Sequence, residues 1–356
     1  MIKAYCFAFA GLLLFAQGGV AAESTVTGAG STAAAPIYRS WAREYRKAGG
    51  AGLAYDAVGS SAGLKRIRAG ETGFGASDVA PSEAELARDG LVAFPIAITG
   101  IAPVVNLPKI GDGQLRLAGR VLARIFLGEI VHWRAPEIVS SNPGVALPDM
   151  PIRVVVRSDG SGTTYNFADY LAKVNGTWKE KNGARTSYAW PAEFLAVKGS
   201  DGVVKAVRET PGAIGYVDYG YVQGNRLKTV QVMNLEGEFL KPSIAAFRTA
   251  LNNSEWVSQG TFATTLTNKP GKGTWPIVMG TFAVVPRVTD RPEQTLAALK
   301  FFVWAFINGD TLVQENNFVR LPDGVQAAAF GAIASVKDKA GTPLGLGLLG
   351  GSSRYR

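Results

Sequence analysis

Residues 152–174 read IRVVVRSDGSGTTYNFADYLAKV, and this stretch decides the fold class. A short apolar run at 152–156 predicts a buried strand, and the spacing of apolar residues at 165–174 predicts a helix. The loop between them carries a guanidinium, hydroxyls and glycines where the helix begins. Free backbone N–H groups at a helix start attract anions, and Arg157 adds a permanent positive charge. The stretch therefore predicts a strand–loop–helix unit with an oxyanion-binding loop.

The same order of elements recurs along the chain, which predicts α/β layers. Strands over 24–27 and 52–58 precede helices over 36–47 and 63–68. The other predicted elements are strands over 92–98, 101–105, 213–217, 229–233 and 277–285, and helices over 119–127, 202–209, 243–252 and 292–308. Segments rich in Pro and Gly around 103–113 and 268–273 predict two crossings between two lobes.

Three further loops share the chemical character of the 157–164 loop. They read TGAGST at 27–32, VGSSAG at 58–63 and GFGASDVAP at 73–81. The first two place glycines and hydroxyls between a strand and a helix, so they also offer N–H groups to an anion. The third carries the carboxylate of Asp78, which taken alone fits a cap on the helix that Pro, Ser and Glu at 81–83 indicate.

The composition excludes several other kinds of site. The 356 residues include 37 Lys plus Arg, 28 Asp plus Glu, one His and one Cys, which gives a formal net charge of +9. One Cys rules out a disulfide framework and a Cys-based metal centre, and one His rules out a His-rich cluster. With 47% hydrophobic residues the chain is too apolar for a disordered polymer. We expect one large or two medium domains, with no metal site, no cofactor and no catalytic residues.

The first 22 residues have the pattern of a secretory signal peptide. A positive start with Lys3 precedes an apolar run over 4–17 and a stretch of small residues over 18–22. The run is shorter than the roughly 18 to 20 residues of a membrane span, and Cys6 lies too early in it for a lipoprotein. We therefore expect a periplasmic protein that is not a lipoprotein. Residues 346–356, rich in Gly and Leu at their start, are expected to form a poorly ordered tail.

Two motifs leave other classes open. The GxGxxA pattern at 28–33 is a loose dinucleotide fingerprint, but its acidic partner would be Asp56, which is predicted to lie inside the second strand. The GxSxG pattern at 59–63 is that of a hydrolase nucleophile. A hydrolase also needs a base, and His132 precedes a Trp with nothing that marks an oxyanion hole. A secreted serine hydrolase or phosphatase is therefore the less favoured alternative.

The four loops together resemble the ligand loops of the periplasmic phosphate-binding proteins of the phosphate-specific ABC importer. TGAGST, GSSAG, FGASD and RSDGSGTT occur in the same order and with similar spacing. Other similar segments are FPIAITGIAPVVN at 94–106, IFLGEIVHW at 125–133, YLAKVNGTW at 170–178, PGAIGYV at 211–217 and LKFFVWAF at 299–306. The resemblance covers about residues 25–344. It implies a two-lobed type II periplasmic binding protein, in which each lobe has a central β-sheet flanked by helices and the ligand lies in the cleft.

The resemblance also assigns ligand contacts by position. They are Thr32, Ala33, Ser60, Asp78, Arg157, Ser161, Gly162 and Thr163. Asp159 would orient Arg157. The family usually has an aromatic residue and a Pro where this chain has Ala33 and Ala34, so the aromatic lid of the first loop is missing. Asp78 would select phosphate, because a carboxylate accepts a hydrogen bond from a protonated oxyanion and opposes bare sulfate.

The resemblance further implies an organisation and partners. Residues 23–104 plus 272–345 would form lobe I, and residues 105–271 would form lobe II. The protein would bind phosphate with high affinity as a monomer and deliver it to the membrane permease of a phosphate ABC transporter. Basic clusters at 39–47 and 65–68 are typical of a solvated surface, so no nucleic-acid partner is expected. Another tetrahedral oxyanion, such as sulfate, molybdate or tungstate, remains an alternative because the donor chemistry is shared.

Overall fold

The computed structural model describes residues 25–349. The strands are β1 (Val26–Gly30), β2 (Leu53–Asp56), β3 (Phe74–Ser77), β4 (Leu91–Val105), β5 (Arg116–Leu117), β6 (Arg153–Arg157), β7 (Leu195–Val197), β8 (Ala213–Asp218), β9 (Lys228–Thr229), β10 (Gln231–Met233), β11 (Phe239–Leu240), β12 (Val278–Pro286), β13 (Val288–Thr289) and β14 (Lys337–Asp338). The helices are α1 (Ala35–Lys47), α2 (Ser60–Arg68), α3 (Glu83–Asp89), α4 (Gly119–Phe126), α5 (Pro136–Ser141), α6 (Gly162–Val174), α7 (Gly176–Lys181), α8 (Gly199–Glu209), α9 (Tyr219–Asn225), α10 (Ile244–Asn252), α11 (Glu255–Ser258), α12 (Pro292–Asn308), α13 (Asp310–Glu315), α14 (Asp323–Ala334) and α15 (Leu346–Leu349).

The predicted signal peptide and the interpretation of Cys6 lie outside the described residues. Of the tail predicted over 346–356, residues 346–349 form α15, and the rest lie outside the described residues. Of the helices between residues 25 and 349, none has the length and apolar character that a membrane crossing requires.

The main sheet has the strand order β2-β1-β3-β12-β4-β8-β6-β7, and β9 also pairs with β4. In its first half, β1 runs parallel to β2 and β3, and β12 lies antiparallel between β3 and β4. In its second half, β8 is antiparallel to β4, whereas β6 is parallel to both β8 and β7. Helices lie between successive strands, so each half has the predicted α/β character.

Strand β4 belongs to both halves of the sheet. It pairs with β12 as far as Gly100 and with β8 from Ile101 onward. The second crossing, just before β12, lies beside this point of β4. The N–H of Ile101 donates to the carbonyl of Ile277 at 2.8 Å, and the indole N–H of Trp275 donates to the carbonyl of Ile101 at 3.0 Å. The two segments that were predicted as separate strands, 92–98 and 101–105, are thus one strand. The lobe boundaries given above stay predictions.

Aromatic packing holds the helices of the first half on its sheet. Tyr38 of α1 packs on Phe74 of β3 with ring centroids 5.3 Å apart, and Phe302 of α12 packs edge-on against Phe74 at 4.9 Å. Phe94 of β4 completes the contact with Phe302 at 5.3 Å. Truncation of one such buried ring to Ala costs about 3 to 5 kcal/mol, so this cluster strongly stabilises the strands that carry the loops.

The observed helix boundaries differ from the predicted ones mainly at helix starts, and the strand predicted over 229–233 is divided into β9 and β10. Helix α12 has the predicted bounds, whereas α6 begins at Gly162 and α8 at Gly199, each three residues earlier than predicted. Glycine is a poor helix former, so the apolar pattern begins only after it. The prediction for Asp56 was wrong, because β2 ends at this residue rather than continuing to 58.

Candidate functional site

The four predicted loops lie at the carboxyl ends of strands and meet in one place. The first loop follows β1, the third follows β3, and the fourth follows β6 in the other half of the sheet. Parallel strands present their carboxyl ends at the same edge, where open α/β sheets bind ligands. The site is therefore built from both halves.

Ser60 is the point at which three of the loops converge. It is the first residue of α2, and its side chain is almost fully buried. Its hydroxyl oxygen accepts the backbone N–H of Asp78 at 3.2 Å and that of Gly162 at 3.1 Å. Both lone pairs of the hydroxyl are then occupied, so its proton is left for donation. Because Gly162 comes from the second half, its bond to Ser60 crosses the cleft.

Several other contacts show that the cleft is closed in this structure. Asn166 donates to the carbonyl of Asp78 at 2.7 Å and to that of Gly162 at 2.9 Å. The N–H of Ser61 donates to Gly160 at 3.1 Å. At Gly162 a β-carbon would lie 2.6 Å from the β-carbon of Asp78, so only glycine permits this approach.

The carboxylate of Asp78 is held by hydroxyl groups. Its side chain is 3% exposed, Ser31 donates to its Oδ2 at 2.7 Å, and Thr281 donates to its Oδ1 at 2.8 Å. Burial raises the pKa of Asp78 above its ordinary value, although these two donors, the charge of Arg157 and the Ser60 hydroxyl each lower it. A buried acceptor thus lies among donors.

The alternative interpretation of Asp78 as a helix cap is wrong. The cap of α3 is Ser82, whose hydroxyl accepts the N–H of Glu85 at 3.3 Å. The Glu85 carboxylate in turn accepts the N–H of Ser82 at 2.9 Å, which completes a capping box. Asp78 therefore does not cap α3, and its carboxylate faces the other loops of the candidate site.

Arg157 and Asp159 form a buried bidentate pair in the fourth loop. Arg157, at the end of β6, is 2% exposed; its Nε donates to Oδ1 of Asp159 at 2.7 Å and its Nη2 donates to Oδ2 at 2.5 Å. Burial opposes ionisation of Asp159, but the hydrogen bonds and charge of Arg157 outweigh it, and the pKa of this carboxyl lies below its ordinary value. The N–H of Gly199 adds a bond to Oδ1 at 3.0 Å. The guanidinium is fixed in one orientation as a result.

The remaining predicted residues are buried around helix starts. Ser161 caps α6 by accepting the N–H of Thr164 at 3.1 Å, and Thr163 lies in the first turn of that helix. Ala33 is fully buried before α1. The hydroxyl of Thr32 contacts that of Ser200 at 2.9 Å, which joins the first loop to the start of α8.

Four residues at the site were missed by the sequence reasoning. They are Ser31, Asn166, Ser200 and Thr281. A signal existed for Ser200, since KGSDG at 198–202 follows β7 and opens α8 in the same strand–loop–helix order as the other loops. Thr281 lies 203 residues from Asp78 in an apolar strand, and no local pattern marks it.

The structure supports neither of the two other motifs. Asp56 is exposed and pairs with Arg66 at 2.5 Å, which accounts for it as a surface residue. His132 lies on the surface, where its Nε2 is 3.3 Å from Oδ1 of Asp149. The Ser60 hydroxyl meets backbone N–H groups rather than an imidazole. Between residues 25 and 349, no group of three or more His, Cys, Asp or Glu side chains is placed to hold a metal ion.

A pocket beside the site opens to solvent and touches Asp78. Its walls are mixed: Trp256, Phe262 and Phe282 line it together with polar residues such as Asn166 and Thr264. Aromatic rings offer few donors to an oxyanion. The buried Arg157 and the hydroxyls of the four loops offer more donors, so the pocket is a neighbour of the candidate site.

Two α/β halves, two adjacent crossings and a closed polar cleft define a substrate-binding protein of the two-lobed type II class. A family model described as a PBP superfamily domain matches residues 16–306. The phosphate-binding protein PstS of Xylella fastidiosa (strain Temecula1) is 41% identical over 297 residues, covering 83% of this chain and 81% of that protein. That of Haemophilus influenzae is 39% identical over 323 residues, covering 91% and 95%.

Comparison with solved structures gives the same fold. A phosphate-binding protein from Stenotrophomonas maltophilia matches with a TM-score of 0.68 at 19% identity, covering 92% of this chain and 98% of that chain. The type II fold inferred from the four loops is therefore confirmed. The chain belongs to the PBP superfamily and, within it, to the PstS phosphate-binding proteins.

Proposed function

We propose that this protein binds inorganic phosphate in its cleft and delivers it to the permease of an ABC importer. The proposed contacts are Thr32, Ala33, Ser60, Asp78, Arg157, Ser161, Gly162 and Thr163. The observation that carries the proposal is a buried carboxylate acceptor, Asp78, set among hydroxyls, helix starts and the charge of Arg157. Curated relatives about 40% identical are named phosphate-binding proteins, which supports the choice of ligand.

Asp78 would provide the selectivity. Phosphate near neutral pH always carries at least one proton, which can be donated to a carboxylate oxygen, whereas sulfate carries none. A sulfate oxygen facing Asp78 would oppose two acceptors and two negative charges in a buried site. The lost hydrogen bond and the repulsion disfavour sulfate.

The other groups would all donate to the ligand. Ser60 and Ser161 each have a hydroxyl that already accepts backbone N–H bonds, so each directs its proton elsewhere. Asp159 holds Arg157 so that little side-chain entropy is lost on binding. Each charge-assisted bond contributes about 1.5 to 3 kcal/mol, and most of this sum offsets desolvation of the ion. The surplus needed for micromolar binding is about 8 kcal/mol.

Ligand contacts from both halves would couple binding to lobe closure. Ser60 and Asp78 come from the first half, and Gly162 from the second, so phosphate would favour the closed arrangement over an open one. The permease would respond to that closure. We further propose that the protein acts as a periplasmic monomer after removal of residues 1–22, binds no nucleic acid and catalyses no reaction.

Calorimetry with phosphate and with sulfate tests the proposal. We expect phosphate to bind with micromolar or tighter affinity and sulfate to bind at least about a hundredfold more weakly. Equal affinities would point to a general oxyanion receptor, and the absence of phosphate binding would overturn the proposal. Release of phosphate from a chromogenic ester would instead support the hydrolase alternative.

A further inference from the structure

Two hydroxyls outside the proposed set of ligand contacts grip the Asp78 carboxylate from opposite sides. Ser31 reaches Oδ2 from the loop after β1, and Thr281 reaches Oδ1 from β12. Strands β1 and β12 are the two neighbours of β3 in the sheet, and Asp78 directly follows β3. The carboxylate is therefore fixed by the two strands that flank its own.

The proton of Ser31 has a defined direction. The side chain is 1% exposed, and its oxygen accepts the N–H of Ala34 at 3.2 Å. With the backbone N–H donating to it, the hydroxyl satisfies its own donor at Asp78 Oδ2, 2.7 Å away. The turn that begins α1 thus orients the Ser31 hydroxyl towards the Asp78 carboxylate.

Thr281 provides a second donor that no solvent competes with. It is fully buried in the middle of β12, next to Phe282, which is paired with Ser77 of β3. Each carboxylate oxygen has two lone-pair positions, so one hydroxyl bond to each leaves room for a donor from the ligand. Loss of either hydroxyl would leave Asp78 buried with fewer donors, which favours its protonated form.

We propose that Ser31 and Thr281 are positioning residues that keep Asp78 an ionised acceptor, and that they thereby set the preference for protonated over unprotonated oxyanions. This inference rests on the proposed phosphate binding. The charged and titratable groups that face Asp78 are Arg157, which favours its ionised form, and Asp218, Tyr38 and Tyr55, whose pKa values are raised in part by the charge of Asp78. Arg157 is matched by Asp159, so the hydroxyls are needed in addition to that cation.

The consequence appears at mildly acidic pH. A protonated Asp78 is a donor, and a donor at this position suits sulfate, which stays unprotonated under the same conditions. With both hydroxyls present, sulfate binding should appear only at low pH. With one hydroxyl removed, sulfate binding should appear at higher pH, and the ratio of phosphate to sulfate affinity should fall there first.

The test uses Thr281→Val, which removes the hydroxyl at constant shape, and Thr281→Ser, which keeps it. Phosphate and sulfate titrations at about pH 5.5 and about pH 7 are expected to show a ratio reduced by about tenfold in Thr281→Val at the lower pH. Thr281→Ser should keep the ratio of the unmodified protein. Ser31→Ala removes the other donor and carries the same expectation, so it decides the question if Thr281→Val does not fold.

The outcomes separate this inference from the proposed function. If the unmodified protein binds no phosphate, the proposed function fails. A second outcome is that the unmodified protein selects phosphate while Thr281→Val and Ser31→Ala keep the same ratio of phosphate to sulfate affinity at both pH values. In that case only the positioning role is overturned. An equal fall in the ratio of phosphate to sulfate affinity in Thr281→Ser and Thr281→Val would also overturn the positioning role. Packing of the side chain, rather than its hydroxyl, would then account for the selectivity.

Discussion

The loop after β3 and the end of β8 each bury an aspartate, and the two carboxyl groups have different hydrogen-bond partners. Asp78 receives a hydroxyl bond on each oxygen. Asp218 caps α9 by accepting the N–H of Tyr221 with Oδ1 at 3.3 Å, and its Oδ2 has no hydrogen-bond partner among the described residues. Burial raises the pKa of Asp218 to about 8, so it is mostly neutral at pH 7. Burial raises the pKa of both carboxyl groups, and the neighbouring donors distinguish them.

The largest effect is expected from Arg157, whose charge favours ionisation of both carboxyl groups. Arg157→Ala should weaken phosphate binding by about a hundredfold or more, because it removes a buried cation and leaves Asp159 unpaired. Calorimetry measures the loss. Arg66→Ala is the matched control, because Arg66 forms an exposed pair with Asp56. This variant should bind phosphate as tightly as the unmodified protein does. If Arg157→Ala weakens phosphate binding by less than about threefold, Arg157 does not contact the ligand.

A smaller effect sharpens the comparison of the two aspartates directly. Asp78→Asn should weaken phosphate binding by about tenfold and should improve sulfate binding, because the amide donates where the carboxylate accepts. Asp218→Asn should leave the ratio of the two affinities unchanged. Titration of both ligands with each variant measures this contrast. If the two substitutions change the ratio equally, the hydroxyls around Asp78 do not distinguish the two carboxyl groups.

The smallest effect concerns stability and Asp218. Its pKa is raised in the folded protein, so the protonated carboxyl stabilises the fold at low pH, and this contribution is lost as the pH rises from about 4 to about 8. The side chain stays neutral in Asp218→Asn, so the melting temperature of this variant should fall less over this range than that of the unmodified protein. Each kcal/mol of unfolding free energy that Asp218 loses corresponds to about 2 to 4 °C. Thermal melts without phosphate at about pH 5 and about pH 8 check this expectation. An identical pH dependence would show that Asp218 is ionised in the folded state.

Local sequence patterns predict the elements of this fold well and its contacts poorly. The bounds of α12 and the loops at Ser60, Asp78 and Arg157 follow from apolar spacing and from glycine and hydroxyl residues at helix starts. Ser31 lies within a loop that was recognised, yet its role depends on a carboxylate 47 residues away.

Other features depend on tertiary pairing that no single stretch records. Strand β4 could not be recognised as one strand, because its change of partner at Gly100 and Ile101 is a property of the assembled sheet. Asp56 was placed inside a strand because apolar residues follow it, and the pairing with β1 ends at that residue instead. Propensity and pattern leave such endpoints to the packing of neighbours.

The position of β12 between β3 and β4 has a consequence for how the chain acquires its structure. Synthesis proceeds from the N-terminus, so residues 91–100 of β4 lack this antiparallel neighbour until residues 278–286 have been made. The whole second half of the sheet lies between them in the chain, and contacts so distant in sequence form slowly. Until then an apolar strand has an open edge, which favours aggregation. The first half of the sheet can therefore be completed only after residues 278–286 have been synthesised.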